Sequence, residues 1–341
     1  MNLFVFGSTG DLFRRKAISA LEKLSGFDLF IYALGRRSFT KEVYQEFACS
    51  DKCSKEFKEK LFYLEVNFDD ENVCSVCEKY FDKEKTNYFY ISLPPNMTMK
   101  IITSMINYSK MGYRIKILLE KPFGENYSSA KAIQRKILES SFENNVYLAD
   151  HYLFKKNILK IQRKEFNKLK IVSLETLGLE SRTAYYDTTG AINDMVQSHL
   201  INIAIKILGN SKTLKNYTLT KFIKGQYQGY STELKAPTKI ETFTHIIIEY
   251  DFCEIEMITG KAFDKKISYV EIDGKRTNID TEGENPYEQM FTDFFNENKT
   301  NFPKIEDTLT SWEVVGKIKK HNPNLVIYPK NFPAEKAQTL R

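Results

Sequence analysis

Residues 3–12 constrain the fold more than any other stretch of the chain. Leu3-Phe4-Val5-Phe6 is an unbroken apolar run, which suits a strand covered on both faces. It runs straight into Gly7-Ser8-Thr9-Gly10-Asp11-Leu12. A helical pattern follows, with Leu12, Ile18, Leu21 and Leu24 on one face. Strand, glycine turn and helix start together make an anion site, because backbone N–H groups and the helix dipole converge on the turn. The two glycines allow positive φ and close backbone approach. The full GxGxxG spacing is not present, so the turn alone also fits a plain strand-to-helix connection.

The pattern then repeats. Strands are expected at Leu29–Leu34, Phe62–Val66, Asn87–Leu93, Arg114–Leu119 and Val146–Ala149, with helices near 70–80, 96–111 and 126–143. Strand–helix alternation of this length implies a doubly wound parallel sheet of the Rossmann type. Gly7, Arg36, Pro94, Lys121 and Asp150 each stand just past a strand's C-terminal end, the edge where such sheets bind ligands. At the second exit, Gly35-Arg36-Arg37-Ser38 replaces the acidic residue that would bond a ribose 2′-hydroxyl. Paired guanidiniums there suit a 2′-phosphate, so Arg36 and Arg37 point to NADP, with NAD as the weaker alternative.

After Val146–Ala149 comes Asp150-His151-Tyr152-Leu153-Phe154-Lys155, a carboxylate, an imidazole, a phenol and an ammonium within six residues. Beyond it the rhythm changes. A helix is expected over Lys155–Lys168, a strand over Lys170–Leu179 and a polar loop over Arg182–Gly190. A helix from about Ala191 to Leu208 follows. Its apolar stripe is Ile192, Met195, Val196, Ile203 and Ile207, and His199 falls on that stripe, facing inward. Long alternating strands follow at Leu214–Ile223, Ile240–Tyr250, Cys253–Ile258 and Ile267–Ile272. Asn285-Pro286 starts a helix, Asp307–Lys320 is the last long one, and a basic tail from Lys330 is expected to be loosely ordered. The expected architecture is α/β: residues 1–152 form the dinucleotide-binding domain, and residues 153–341 form an α+β domain on a mostly antiparallel sheet.

The 341 residues suffice for two cores. No apolar run approaches the roughly 18 residues of a membrane span. Met1–Gly7 lacks a basic n-region and a cleavage site, so a cytoplasmic chain without membrane attachment is expected. The net charge of +6 comes from interspersed Lys and Glu with no basic block, so nucleic acid is not an expected partner. Cys49, Cys53, Cys74, Cys77 and Cys253 are odd in number, and Cys74-Ser-Val-Cys77 lacks a second ligand pair. Reduced thiols and no metal site are expected.

These motifs resemble the glucose-6-phosphate dehydrogenase family. Gly7–Leu12 looks like its cofactor turn, and Glu120-Lys121-Pro122-Phe123-Gly124 matches its EKPFG motif in full. Asp150–Lys155 matches DHYLGK except for Phe154 in the glycine position, and Asp194–Leu200 resembles the segment bearing its catalytic histidine. The resemblance implies oxidation of glucose 6-phosphate at C1 to the 6-phosphogluconolactone, with hydride transfer to NADP. His199 would be the general base, Asp150 would hold and charge-stabilise it, and Lys121 would lie between nicotinamide and sugar. His151, Tyr152 and Lys155 would take the phosphate. Asp194 and Lys261, with Lys265 or Lys266 nearby, would bond the sugar or its phosphate. Gly7, Ser8, Thr9, Gly10, Asp11, Leu12, Pro94, Arg36 and Arg37 would hold the cofactor. A homo-oligomer, dimer or tetramer, through the C-terminal sheet is also implied. Thr188 and Asn193 depart from the family's usual acid and arginine. They keep open the reading of an inactive NADP-binding regulator; the other alternative is another NADP-dependent sugar or sugar-phosphate oxidoreductase of related fold that also uses an EK-P lysine.

Overall fold

A computed structural model describes residues 1–24, 26–70, 72–179 and 183–341. The chain divides into two compact units, Met1–Phe154 with Asn285–Ile305, and Lys155–Glu284 with Glu306–Arg341. Among the described residues no helix is long and apolar enough to cross a membrane.

In the first unit six strands run parallel: β1 (Asn2–Phe6), β2 (Phe30–Gly35), β3 (Leu61–Glu65), β4 (Asn87–Ile91), β5 (Ile115–Leu119) and β6 (Val146–Leu148). Their order is β3-β2-β1-β4-β5-β6. The order reverses beside β1, and this reversal opens the crevice in which sheets of this order bind dinucleotides. Leu3–Phe6 is fully buried, and Phe4 stacks between Tyr32 and Phe89 at 5.1 and 5.0 Å. Asn285 caps the helix Pro286–Phe295 as its sequence implies, accepting from Tyr287 N at 3.2 Å. That helix belongs to this unit because Phe291 and Phe294 meet Tyr90, Tyr88 and Tyr147 with centroids 5.0–5.3 Å apart.

Three details of this unit differ from expectation. The helix near 70–80 shrinks to Ser75–Glu78, and two others, Lys41–Cys49 and Lys55–Glu59, were not foreseen. Cys49 and Cys53 form a disulfide rather than staying reduced. The helix ends at Cys49, Ser50 adopts φ 46°, and the reversal brings the two Cα atoms to 5.4 Å. Cys74, Cys77 and Cys253 are free and buried.

The second unit is a seven-stranded mixed sheet. Its strands are β7 (Lys168–Leu174), β8 (Thr218–Tyr227), β9 (Phe243–Tyr250), β10 (Cys253–Gly260), β11 (Ile267–Ile272), β12 (Lys275–Asn278) and β13 (Leu325–Tyr328). The order is β12-β11-β7-β10-β9-β8-β13. The β7–β10 and β8–β13 pairs are parallel and the others antiparallel. The helix expected over 155–168 is only Lys156–Leu159. Beyond Ile161 the polar run Gln162–Glu165 interrupts the apolar spacing that would carry the helix on. The polar stretch from 182 contains a helix, Thr183–Ala191, broken by Gly190 at φ 67°; Arg182 lies outside the described residues. The tail is ordered, with Ala334, Ala337 and Leu340 buried in a cluster that includes Val172, Phe263 and Tyr328.

Candidate active site

Each strand exit of the first unit places its residues by local geometry. After β1, Gly7 turns at φ 87°, Gly10 N donates to Gly7 O at 2.9 Å, and a Cβ on Gly7 would overlap the Ser92 carbonyl oxygen. A side chain at this position would push the turn off β4, which explains the glycine. Ser8 points inward, fully buried, with its hydroxyl on Leu34 O at 3.0 Å. It therefore shapes the turn by its backbone. Thr9 and Leu12 are half-buried, and Asp11 is exposed and pairs with Arg15 at 3.3 Å. A helix of π and α turns, Phe13–Ala17 and Ile18–Glu22, continues from the turn.

After β2, Arg36 and Arg37 are exposed. The sequence did not disclose their support. Phe47, on the helix Lys41–Cys49, has the Arg14 guanidinium 4.1 Å and that of Arg37 5.7 Å from its ring centroid. Arg14 also donates to Phe47 O at 3.1 Å. Tyr44 of the same helix donates to Ser8 O at 3.2 Å and stacks on Tyr63 at 4.5 Å, tying the helix to the glycine turn. The donor set fits an NADP: a glycine turn at a helix start for the pyrophosphate, and exposed guanidiniums at the next strand exit for a 2′-phosphate. Pro94, after β4, begins the helix Pro95–Lys110, and its carbonyl accepts from Met97 N at 3.0 Å.

After β5, Glu120 is joined to Lys121, and the Lys121–Pro122 peptide is cis. Tyr90 donates to Glu120 Oε1 at 2.7 Å, and Tyr287 bonds the same carboxyl. Burial pushes the Glu120 carboxyl above its usual range, although those phenols and Lys121 oppose the rise. Tyr287 also lies nearly parallel to the His151 ring, 5.9 Å away, and Tyr152 meets that ring edge-on at 5.0 Å. Asp150 is 2% exposed, and its Oδ1 accepts from Tyr152 N at 3.0 Å. Phe154, in the glycine position of the motif, is buried against Phe302 at 4.7 Å, so aromatic packing fills this turn.

In the second unit His199 is 1% exposed. It lies in a π-helical stretch, Ile192–Leu200, that continues as the helix Ile201–Leu208. The wide π turn displaces the 3.6-residue stripe, so Gln197 and Ser198 are buried alongside His199, and Gln197 bonds Ser311 at 2.9 Å. Asp194 is half-buried, and its carbonyl accepts from Ser198 at 2.9 Å. Glu241 accepts from Ile192 N at 3.0 Å and so fixes the start of this helix; burial raises its carboxyl. Thr188 is exposed, and Asn193 accepts from Lys319 at 3.2 Å.

The cations expected to meet the substrate each hold an acid. Lys261 pairs with Glu175, Lys265 with Glu335, and Lys155 and Lys266 with the two oxygens of Asp280. None of Glu175, Glu335 and Asp280 belongs to a motif, so nothing in the chain's pattern marked them.

A β3-β2-β1-β4-β5-β6 sheet with a glycine turn and an arginine pair at its ligand edge, followed by a mixed-sheet unit with a buried histidine helix, defines a nicotinamide-dinucleotide-dependent oxidoreductase. Comparison with known families narrows the class. Residues 4–159 match the NAD binding domain of glucose-6-phosphate dehydrogenase, and residues 154–210 match its C-terminal domain. The chain belongs to the glucose-6-phosphate dehydrogenase family. It is 29% identical over 289 residues to the glucose-6-phosphate 1-dehydrogenase of Helicobacter pylori J99, spanning 73% of this chain and 68% of that protein. With the Chlamydia pneumoniae enzyme it shares 30% over 246 residues, 59% of this chain and 48% of the other. The crystal structure of the Mycobacterium avium glucose-6-phosphate 1-dehydrogenase superposes with a TM-score of 0.83 at 19% identity. That superposition covers 99% of this chain and 96% of that one, a likeness of fold.

Proposed function

We propose that this chain oxidises glucose 6-phosphate at C1 to the 6-phosphogluconolactone, the entry reaction of the pentose phosphate pathway, with NADP as hydride acceptor. One observation carries the reading. The family match runs without a break from residue 4 to residue 210, and that span holds the cofactor turn, Arg36, Lys121, Asp150 and His199. When bound, NADP supplies the acceptor for the hydride leaving C1.

The chain's own residues do the rest. His199 takes the proton of the C1 hydroxyl, and Asp150 is its carboxylate partner. A base of near-neutral basicity backed by an acid suits that transfer. Lys121, held next to a buried carboxyl and a cis proline, orients nicotinamide and sugar. His151, Tyr152, Lys155 and Lys266 bind the phosphate, and Asp194 and Lys261 bind the sugar. Lys265, exposed and paired with Glu335, is assigned a supporting contact to the same ligand. Gly7, Ser8, Thr9, Gly10, Asp11, Leu12 and Pro94 form the dinucleotide's seat, and Arg36 and Arg37 take the 2′-phosphate. The reading includes a cytoplasmic homo-oligomer built through the second sheet. Exposed Ile327 on the edge strand β13 supports that assembly, which light scattering tests directly.

NADPH formation followed by absorbance tests the reaction. Glucose 6-phosphate should be turned over and glucose should not, and His199→Asn should lower kcat by about 10²–10⁴-fold. Full activity in that variant would remove His199 as the base.

A further inference from the structure

Asp280 differs from the other acids that hold substrate-site lysines. Among the described residues Glu175 and Glu335 each meet one lysine. Asp280 meets two at once: its Oδ1 contacts the Lys155 ammonium, and its Oδ2 lies 2.8 Å from that of Lys266. The Lys155 side chain is only 11% exposed, so this pair is not a loose surface contact.

The segment that carries Asp280 is pinned on both sides. Before it, Ile279 is fully buried and donates to Ser268 O at 2.9 Å, and Asn157 donates to Asn278 O at 2.9 Å. After it, Glu284 accepts from Lys156 N. Burial alone would raise the Asp280 carboxyl; the hydrogen bonds from Lys155 and Lys266 outweigh it and hold the group below its usual range. Asp280 is therefore a fixed anion, ionised at neutral pH, between two ammonium groups. A phosphate monoester places two charged oxygens in the same way, and it needs both ammoniums.

We propose that Asp280 is a specificity-determining residue of the sugar-phosphate site, a resident anion that the ligand's phosphate displaces from Lys155 and Lys266. The assignment rests on the glucose 6-phosphate reading and adds to it. With Asp280 in place, the two lysines present one net positive charge rather than two. A dianionic phosphate gains two ammonium partners and outcompetes a single carboxylate. A monoanion gains no more than Asp280 already supplies and is refused. Selectivity for the doubly charged ester is obtained at some cost in affinity for every anion.

The test compares the parent protein with Asp280→Asn, which keeps the shape and removes the charge, and with Asp280→Glu, which keeps the charge. Binding of glucose 6-phosphate and of inorganic phosphate is measured by calorimetry, and KM by NADPH formation. D280N should bind both ligands about threefold or more tightly, with KM for glucose 6-phosphate falling in step, and D280E should stay nearer the parent. Unchanged or weaker binding in a D280N protein that melts like the parent and binds NADP equally well would overturn the assignment. Such a result would make Asp280 a support that holds the lysines in place. If D280N does not fold, Asp280→Ser carries the same expectation and the same overturning result. The inorganic phosphate arm needs no turnover. Failure of the parent to oxidise glucose 6-phosphate would therefore remove the proposed reaction, and the Asp280 assignment would still be decided by the phosphate affinities.

Discussion

A carboxylate buried in a sheet needs polar partners close by, and Glu256 has them. His245 Nε2 lies 2.9 Å away across β9 and β10, and Lys170 Nζ lies 3.3 Å away on β7. Lys168 stands further off at 3.8 Å. Burial by itself would raise the Glu256 carboxyl, but the His245 hydrogen bond and the Lys170 charge outweigh it and hold the group at about 2. A carboxyl depressed in the folded state favours folding above its unfolded value near 4.5, and that contribution is lost as pH falls toward about 2. Glu256→Gln should therefore cost about 3 kcal/mol at pH 7, where it leaves the Lys170 ammonium without its counter-charge. The gap should narrow below pH 4.5 and nearly close as pH reaches about 2, which melting curves across that range would show. Equal deficits at both pH values would mean that the loss comes from packing and not from charge. His245 reaches Glu256 across the tight β9–β10 hairpin, but Lys170 comes from β7, far back in the chain, and no sequence pattern sets the β7–β10 register that brings it there.

At the scale of elements, the strand exits were the most readable part of the molecule. An apolar run ending in a glycine, an arginine pair or a Glu-Lys-Pro places its own residues, because the sheet geometry fixes where the residues just past a strand must stand. The exit of β2 carries the clearest consequence. Arg36→Ala combined with Arg37→Ala should raise KM for NADP by about 10- to 100-fold, the loss of charge-assisted hydrogen bonds to a 2′-phosphate. It should leave KM for NAD nearly unchanged, and parallel titrations of the two cofactors measure the split. A proportionate loss with both cofactors would show that the arginines only support the helix Lys41–Cys49 through Phe47. Elements without an apolar run of their own were harder to read. Lys275–Asn278 has no apolar residue, yet it forms β12 through the turn Asp273-Gly274, both residues at positive φ. Asp-Gly between two short segments is a hairpin signal, and here it outweighs the missing apolar alternation. The stretch 155–168 misleads for the opposite reason. Its composition favours helix, but the four polar residues Gln162–Glu165 interrupt the apolar spacing set by Ile158 and Ile161.

For the whole molecule, the C-terminal tail beyond Lys330 tests how far the two units stand or fall separately. Asn331 N donates to Ala262 O at 2.7 Å, Asp264 N to Phe332 O at 3.1 Å, and Ala334 N to the Asp264 carboxylate at 2.8 Å. Leu340, Ala337 and Ala334 close the cluster around Phe263 and Tyr328, and Gln338 accepts from Lys170 at 2.9 Å. The tail thus braces the loop that follows β10, and that loop carries Lys261, Lys265 and Lys266. Ending the chain at Lys330 strips Phe332, Ala334, Ala337 and Leu340 from that cluster, a loss of about 3 kcal/mol. In a unit of this size that should lower its melting temperature by about 6–12 °C. The cofactor turn and the arginine pair belong to the other unit. The truncated protein should therefore lose affinity for glucose 6-phosphate while its affinity for NADP stays close to the parent's. Titrating both ligands below the lowered melting temperature checks this. A matched fall in the two affinities would mean that the units fold as one cooperative body, and that the tail stabilises the cofactor site as much as the sugar site.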